Sequence, residues 1–92
     1  MKVLRIIIKV SGIVQGVFFR YTTRKVARKL NLSGYVKNMP NGCVFIEAEG
    51  PEDKLKELLK FAKVGPKNAR VDQVEHEFTP PNYQFKGFDY AF

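Results

Sequence analysis

Most of the side chains that carry chemistry are scarce in this chain. Its 92 residues include one cysteine, one histidine and no tryptophan. A lone Cys43 excludes an internal disulfide and any four-cysteine zinc site. The lone His76 sits between Glu75 and Glu77 in a strand-like stretch, without the partners that make a histidine a general base, and reads as structural. Cys43 has no second histidine to activate it and reads as an inert thiol. The acids show no convergent pair, and no ligand spacing supports a metal. No apolar run approaches the roughly 20 residues that span a bilayer. The N-terminal stretch imitates a signal peptide only until Lys9 cuts it after Ile6-Ile7-Ile8. There are no repeats, linkers or low-complexity segments. The expectation is a soluble cytoplasmic protein, not bound to membrane and binding no metal or cofactor.

Acids are also missing from one half of the chain. Residues 1–46 hold nine Lys and Arg and no Asp or Glu; residues 47–92 hold seven bases and all nine acids. The net charge of +7 is therefore concentrated in the first half. Such a half attracts anions, or is simply a well-solvated face. Length allows one domain, residues 1–92, with one modest core. The eight Phe and four Tyr supply bulk for it, and 27% charged residues is ordinary globular composition.

The periodicity predicts six or seven elements. Residues 2–10 alternate as a strand, with Leu4, Ile6, Ile8 and Val10 on one face. Two glycines break that pattern over residues 11–17. A helix is predicted from Phe19 to Leu30, with Phe19, Thr23, Val26, Ala27 and Leu30 sharing a face. Tyr35 to Met39 and Cys43 to Glu49 read as strands of a hairpin, because Asn41-Gly42 tolerates the positive φ of a tight turn. A second helix starts at Gly50-Pro51-Glu52-Asp53, carries Leu55, Leu58, Leu59 and Ala62 on one stripe, and stops at Gly65-Pro66. A strand over Ala69 to Phe78 follows, with Val71 out of register and a bulge or late start expected. Phe88, Tyr90 and Phe92 alternate in a short last strand. The order predicts an α+β, ferredoxin-like β-α-β-β-α-β sandwich: two helices on one face of an antiparallel sheet, plus a short C-terminal strand.

One segment stands out chemically: Gly12-Ile13-Val14-Gln15-Gly16-Val17-Phe18-Phe19-Arg20. It follows a strand and enters a helix, which gathers backbone N–H groups at the positive end of a helix dipole. Gly16 allows a positive φ, so successive N–H groups can turn inward as a nest. Arg20 adds a planar fork suited to two phosphate oxygens. Glycines serving turn geometry alone would look the same, and neither the P-loop nor the dinucleotide pattern is met. These residues by themselves leave both readings open. Asn38, ahead of Pro40-Asn41-Gly42, reads by itself as a turn residue.

Gly12-x-Val14-Gln15-Gly16-Val17-x-Phe19-Arg20 resembles the signature of the acylphosphatase family. A second block, Gly34-Tyr35-Val36-Lys37-Asn38 with Asn41-Gly42 and Val44, resembles it too, as does a weaker third with Gly65-Pro66, Ala69 and Val71. Tyr35 stands where the family usually has Trp, and Asn41 where Asp is common. The resemblance implies metal-free, cofactor-free hydrolysis of the carboxyl–phosphate bond of acyl phosphates to carboxylate and inorganic phosphate. By motif position, Arg20 would hold the phosphoryl group. The backbone amides of Gln15, Gly16, Val17, Phe18, Phe19 and Arg20 would cradle its oxygens. Asn38 would orient the attacking water. The expected partners are a small acyl phosphate and phosphate, with no nucleic acid, and the expected state is a monomer.

Two other readings compete. Lys86 to Phe92 resembles part of an RNA-recognition motif's RNP1 pattern, but Asp89 replaces a small residue and the segment is the last strand, whereas RNP1 lies on the third. The third strand here bears Glu47 and Glu49, which repel phosphate. An acylphosphatase-like protein with a regulatory or carbamoyl-phosphate role is the other.

Overall fold

Alternation in the first strand sets the core. Residues 2–91 are described by a computed structural model of the chain. In β1 (Val3–Ile13) the side chains of Ile6, Ile8 and Val10 are fully buried. They lie opposite Ala48, Ile46 and Val44 of β3 (Val44–Pro51), which are equally buried. Each such Ile or Val side chain stabilises the fold by about 1.5–3 kcal/mol through apolar area removed from water. Two helices cover this face. The helix α1 (Phe19–Lys29) buries Phe19, Thr23 and Ala27, and α2 (Glu52–Val64) buries Leu55, Leu58, Leu59 and Ala62.

The five strands are ordered β4-β1-β3-β2-β5, with β2 at Ser33–Asn38, β4 at Arg70–Thr79 and β5 at Phe88–Tyr90. The first four pair antiparallel, as expected; β5 runs parallel to β2. The sheet is therefore mixed at one edge. Phe92, predicted to continue β5, lies outside the described residues.

β1 does not stop at Val10. It continues through Ser11-Gly12-Ile13, which the glycine had marked as a break. Gly12 takes φ +133°, and a Cβ there would overlap the carbonyl oxygen of Arg70, so glycine is what lets β4 lie alongside. The register shifts at the same point: Ser11 pairs with Gln73 and Gly12 with Val71, leaving Asp72 as the extra residue of the bulge expected near Val71.

The helix ends follow local chemistry. Asn31, at φ +58°, closes α1, with Asn31 N–H bonded to Arg28 O and Leu32 N–H to Ala27 O. Gly65, at φ +76°, closes α2 and donates to Phe61 O at 2.7 Å. In the β2–β3 hairpin the positive φ falls on Gly42 alone; Asn41 contributes its side chain, whose Oδ1 accepts from Cys43 N–H at 3.1 Å. After β4, the buried Glu49 carboxylate accepts from Asn82 N–H at 2.7 Å and Tyr83 N–H at 3.0 Å, which steers the chain toward β5.

Candidate functional site

The loop between β1 and α1 turns twice through positive φ, at Gly16 (75°) and Phe18 (63°), and Phe18 is the helix N-cap residue. No side chain caps α1, and its first turn has no acid. The first helical bond from this end runs from Thr22 N–H to Phe18 O at 3.0 Å. Among the described residues, none of the backbone N–H groups from Gln15 to Tyr21 has an acceptor. A run of open donors at the positive end of a helix dipole has the chemistry that suits an anion.

Asn38 ends β2 two residues after Val36, so it shares the helix-side face. Its Oδ1 is buried and has no hydrogen-bond partner among the described residues. Leaving a buried polar atom unmet costs on the order of 1–3 kcal/mol, and such orphans gather at sites kept for function. Asn38, Gly16, Phe18, Phe19 and Arg20 line one pocket of about 420 Å³, completed by Val14, Tyr21 and Tyr90. The two signature blocks therefore meet in space. Gln15 and Val17 belong to the same loop but not to the pocket wall.

Several contacts of these residues escaped the sequence. Gln15 uses its side chain as well as its position: Nε2 donates to Met39 O and Cys43 O, both at 2.9 Å, and ties the loop to the hairpin that carries Asn38. The half-buried Arg20 has its guanidinium carbon 5.9 Å from the Tyr90 ring centroid, at the outer limit of a cation–π contact. It forms no ion pair among the described residues, so its fork is free. Arg24 covers Tyr90 more closely, at 4.2 Å, and donates to Asp89 Oδ1 at 3.0 Å. The Asp89 carboxyl is held below the usual carboxylate range, first by the Tyr90 N–H and then by Arg24. Tyr90 reaches the pocket only because β5 pairs with β2, and a three-residue strand leaves almost no periodic signal.

Other candidates fall away on position. His76 is exposed on the edge strand β4, edge-on to Phe78 at 5.9 Å, with the sheet between it and β5. Cys43 is buried with Sγ 3.4 Å from Ser11 Oγ. Among the described residues no group of three His, Cys, Asp or Glu gathers in metal-binding geometry. The stretch resembling RNP1 lies on an edge strand, and Phe88 within it is buried in the core, where it cannot stack on a base. A larger, open depression of about 740 Å³ beside Lys86 holds none of the predicted residues, and its Arg28 is already bonded to Phe88 O at 2.8 Å. No helix among the described residues is long and apolar enough to cross a membrane.

The two helices on a 4-1-3-2 antiparallel core define a ferredoxin-like α+β sandwich. Comparison with known proteins narrows that class. The acylphosphatase family pattern matches residues 6–90. An acylphosphatase of Thermotoga maritima is 51% identical over 85 residues, 91% of this chain and 92% of the relative. One from Archaeoglobus fulgidus is 56% identical over 68 residues, 74% of this chain and 76% of the relative. The crystal structure of acylphosphatase from Bacillus subtilis superposes with a TM-score of 0.93 at 35% identity, covering 97% of this chain and 99% of that one. The chain belongs to the acylphosphatase family, whose members hydrolyse acyl phosphates.

Proposed function

We propose that the loop at Gln15–Arg20 holds the phosphoryl group of an acyl phosphate and that Asn38 places the attacking water. The observation that carries this is the run of unpaired amides beside a free Arg20, in one pocket with the orphaned Asn38 Oδ1. The amides of Gln15, Gly16, Val17, Phe18, Phe19 and Arg20 donate to the phosphoryl oxygens, and the Arg20 fork adds a charged bidentate contact. The Asn38 amide holds a water whose oxygen attacks phosphorus opposite the leaving group. The P–O bond to the acyl carboxylate breaks, the carboxylate leaves with the electron pair, and the water's protons pass to phosphate and solvent. A carboxylate is a good leaving group, so no strong base is needed; positioning and fixed positive charge suffice. The cradle draws its charge from Arg20 and amides, which leaves no task for a metal.

On this reading the protein works as a cytoplasmic monomer on small acyl phosphates and not on nucleic acid. A single buried thiol suits a reducing compartment. Titration with inorganic phosphate, followed by backbone amide resonances, tests the cradle. The expected shifts fall on residues 15–20; shifts confined to β5 would overturn the assignment.

A further inference from the structure

Phe18 breaks two rules at once. A bulky aromatic residue occupies left-handed backbone at φ +63°, where glycine would sit without strain. The residue is also 73% exposed, so burial in the core does not hold it there. Both penalties would vanish with glycine, and the family signature leaves this position open. A strained residue at a functional site points to use of its side chain. Tyr21, three residues on, is 52% exposed beside the same pocket, and Tyr90 lines it from β5. Of the eight residues in the lining only Arg20 carries a charge. Once Arg20 holds the phosphoryl group, the wall offers an acyl group aromatic rings and no second unpaired cation, since Arg24 over Tyr90 is bonded to Asp89.

We propose that Phe18 and Tyr21 form the acyl-binding wall of this pocket and select acyl phosphates whose acyl group is flat, apolar and uncharged. The inference rests on the phosphoryl cradle proposed above and deepens it. A planar ring gains by stacking on Phe18 and Tyr21. A small acetyl group covers little of either ring. An acyl group with a second carboxylate must shed water there without a counter-charge.

The test is kcat/KM for benzoyl, acetyl and succinyl phosphate with the wild type, Phe18→Gly and Tyr21→Ala. The wild type should favour benzoyl over acetyl phosphate by at least about tenfold, the scale of discrimination an apolar pocket achieves, with succinyl phosphate slowest. Each variant should reduce the benzoyl-to-acetyl ratio several-fold, and Tyr21→Ala should still turn over acetyl phosphate. Phe18→Gly keeps the amide and suits the positive φ, so it should fold; circular dichroism and the phosphate inhibition constant control for damage to the cradle. Equal kcat/KM for the three substrates, or a ratio that survives both substitutions, overturns the wall and leaves the cradle standing. Wild-type enzyme that hydrolyses none of the three overturns the cradle and the wall together.

Discussion

Gln15 reaches from the loop before α1 to the β2–β3 hairpin and donates to two carbonyls with one side-chain amide. It thereby ties that loop to the hairpin that carries Asn38. Both residues stand in the signature blocks, so the sequence pointed to them; the tie from Gln15 to the hairpin was not legible, because no local pattern says which carbonyl a glutamine will find. Gln15→Ala should cost about 1 kcal/mol, the net worth of ordinary hydrogen bonds, since Met39 O and Cys43 O still accept from Gly42 N–H and Met39 N–H. It should also lower kcat, because a small misplacement of positioning groups is expensive. The midpoint of urea unfolding and kcat, measured on the same preparation, check this. A variant with an unshifted midpoint and full kcat would show that the clamp is idle. Asn38 itself was legible only through the family pattern; the orphaned oxygen that marks it needs the fold around it.

Among the elements, the strands and helices with strict periodicity were read within a residue or two, and the exceptions have local causes. β1 was cut short because a glycine ordinarily ends a strand, whereas Gly12 admits the Arg70 carbonyl against it. The parallel β5 depends on a loop held by Glu49, and a buried glutamate on a strand gives no sign of which amides it will bind. The open face of the sheet carries another cross-strand device. Tyr35 OH donates to Glu47 Oε1 at 2.8 Å, and Arg5 donates through Nη1 to Glu47 Oε2 at 2.9 Å and through Nε to Thr79 Oγ1 at 2.8 Å, linking β2, β3, β1 and β4. Burial, and then the hydrogen bond to Glu47, push the Tyr35 hydroxyl up from 10.0 to about 12. An unfolded tyrosine loses its proton first, so the folded chain binds more protons in that window. The stabilisation is intact below pH 10.0 and is lost as pH rises toward about 12. Urea midpoints should therefore fall more steeply across this range in wild type than in Tyr35→Phe. Parallel curves for the two proteins would contradict the network's role.

For the whole molecule, the uneven charge in the sequence becomes a division of labour. Arg20 and the loop amides lie in the acid-free half of the chain, while acids from the second half hold structure: Glu47 across the sheet, Glu49 under the loop and Asp89 against Arg24. If, as proposed, the positive charge at the cradle comes from protein groups, dialysis against a chelator should leave kcat unchanged. Loss of turnover that magnesium restores would contradict that.

The division between Arg20 and Asn38 carries the account, and kinetics of the two alanine variants test it most directly. Arg20→Ala removes a contact made to both bound phosphate and the transition state, so it should weaken phosphate inhibition and turnover together, and Arg20→Lys should restore little. Asn38→Ala should lower kcat by roughly 10²–10³, the usual cost of one lost positioning group, with phosphate affinity within a few-fold of wild type. The measurement is kcat and the phosphate inhibition constant for wild type and each variant, with circular dichroism showing that each is folded. The account predicts affinity lost only in Arg20→Ala and kcat lost in both. A folded Asn38→Ala with wild-type kcat, or a folded Arg20→Ala with wild-type phosphate affinity, would contradict it.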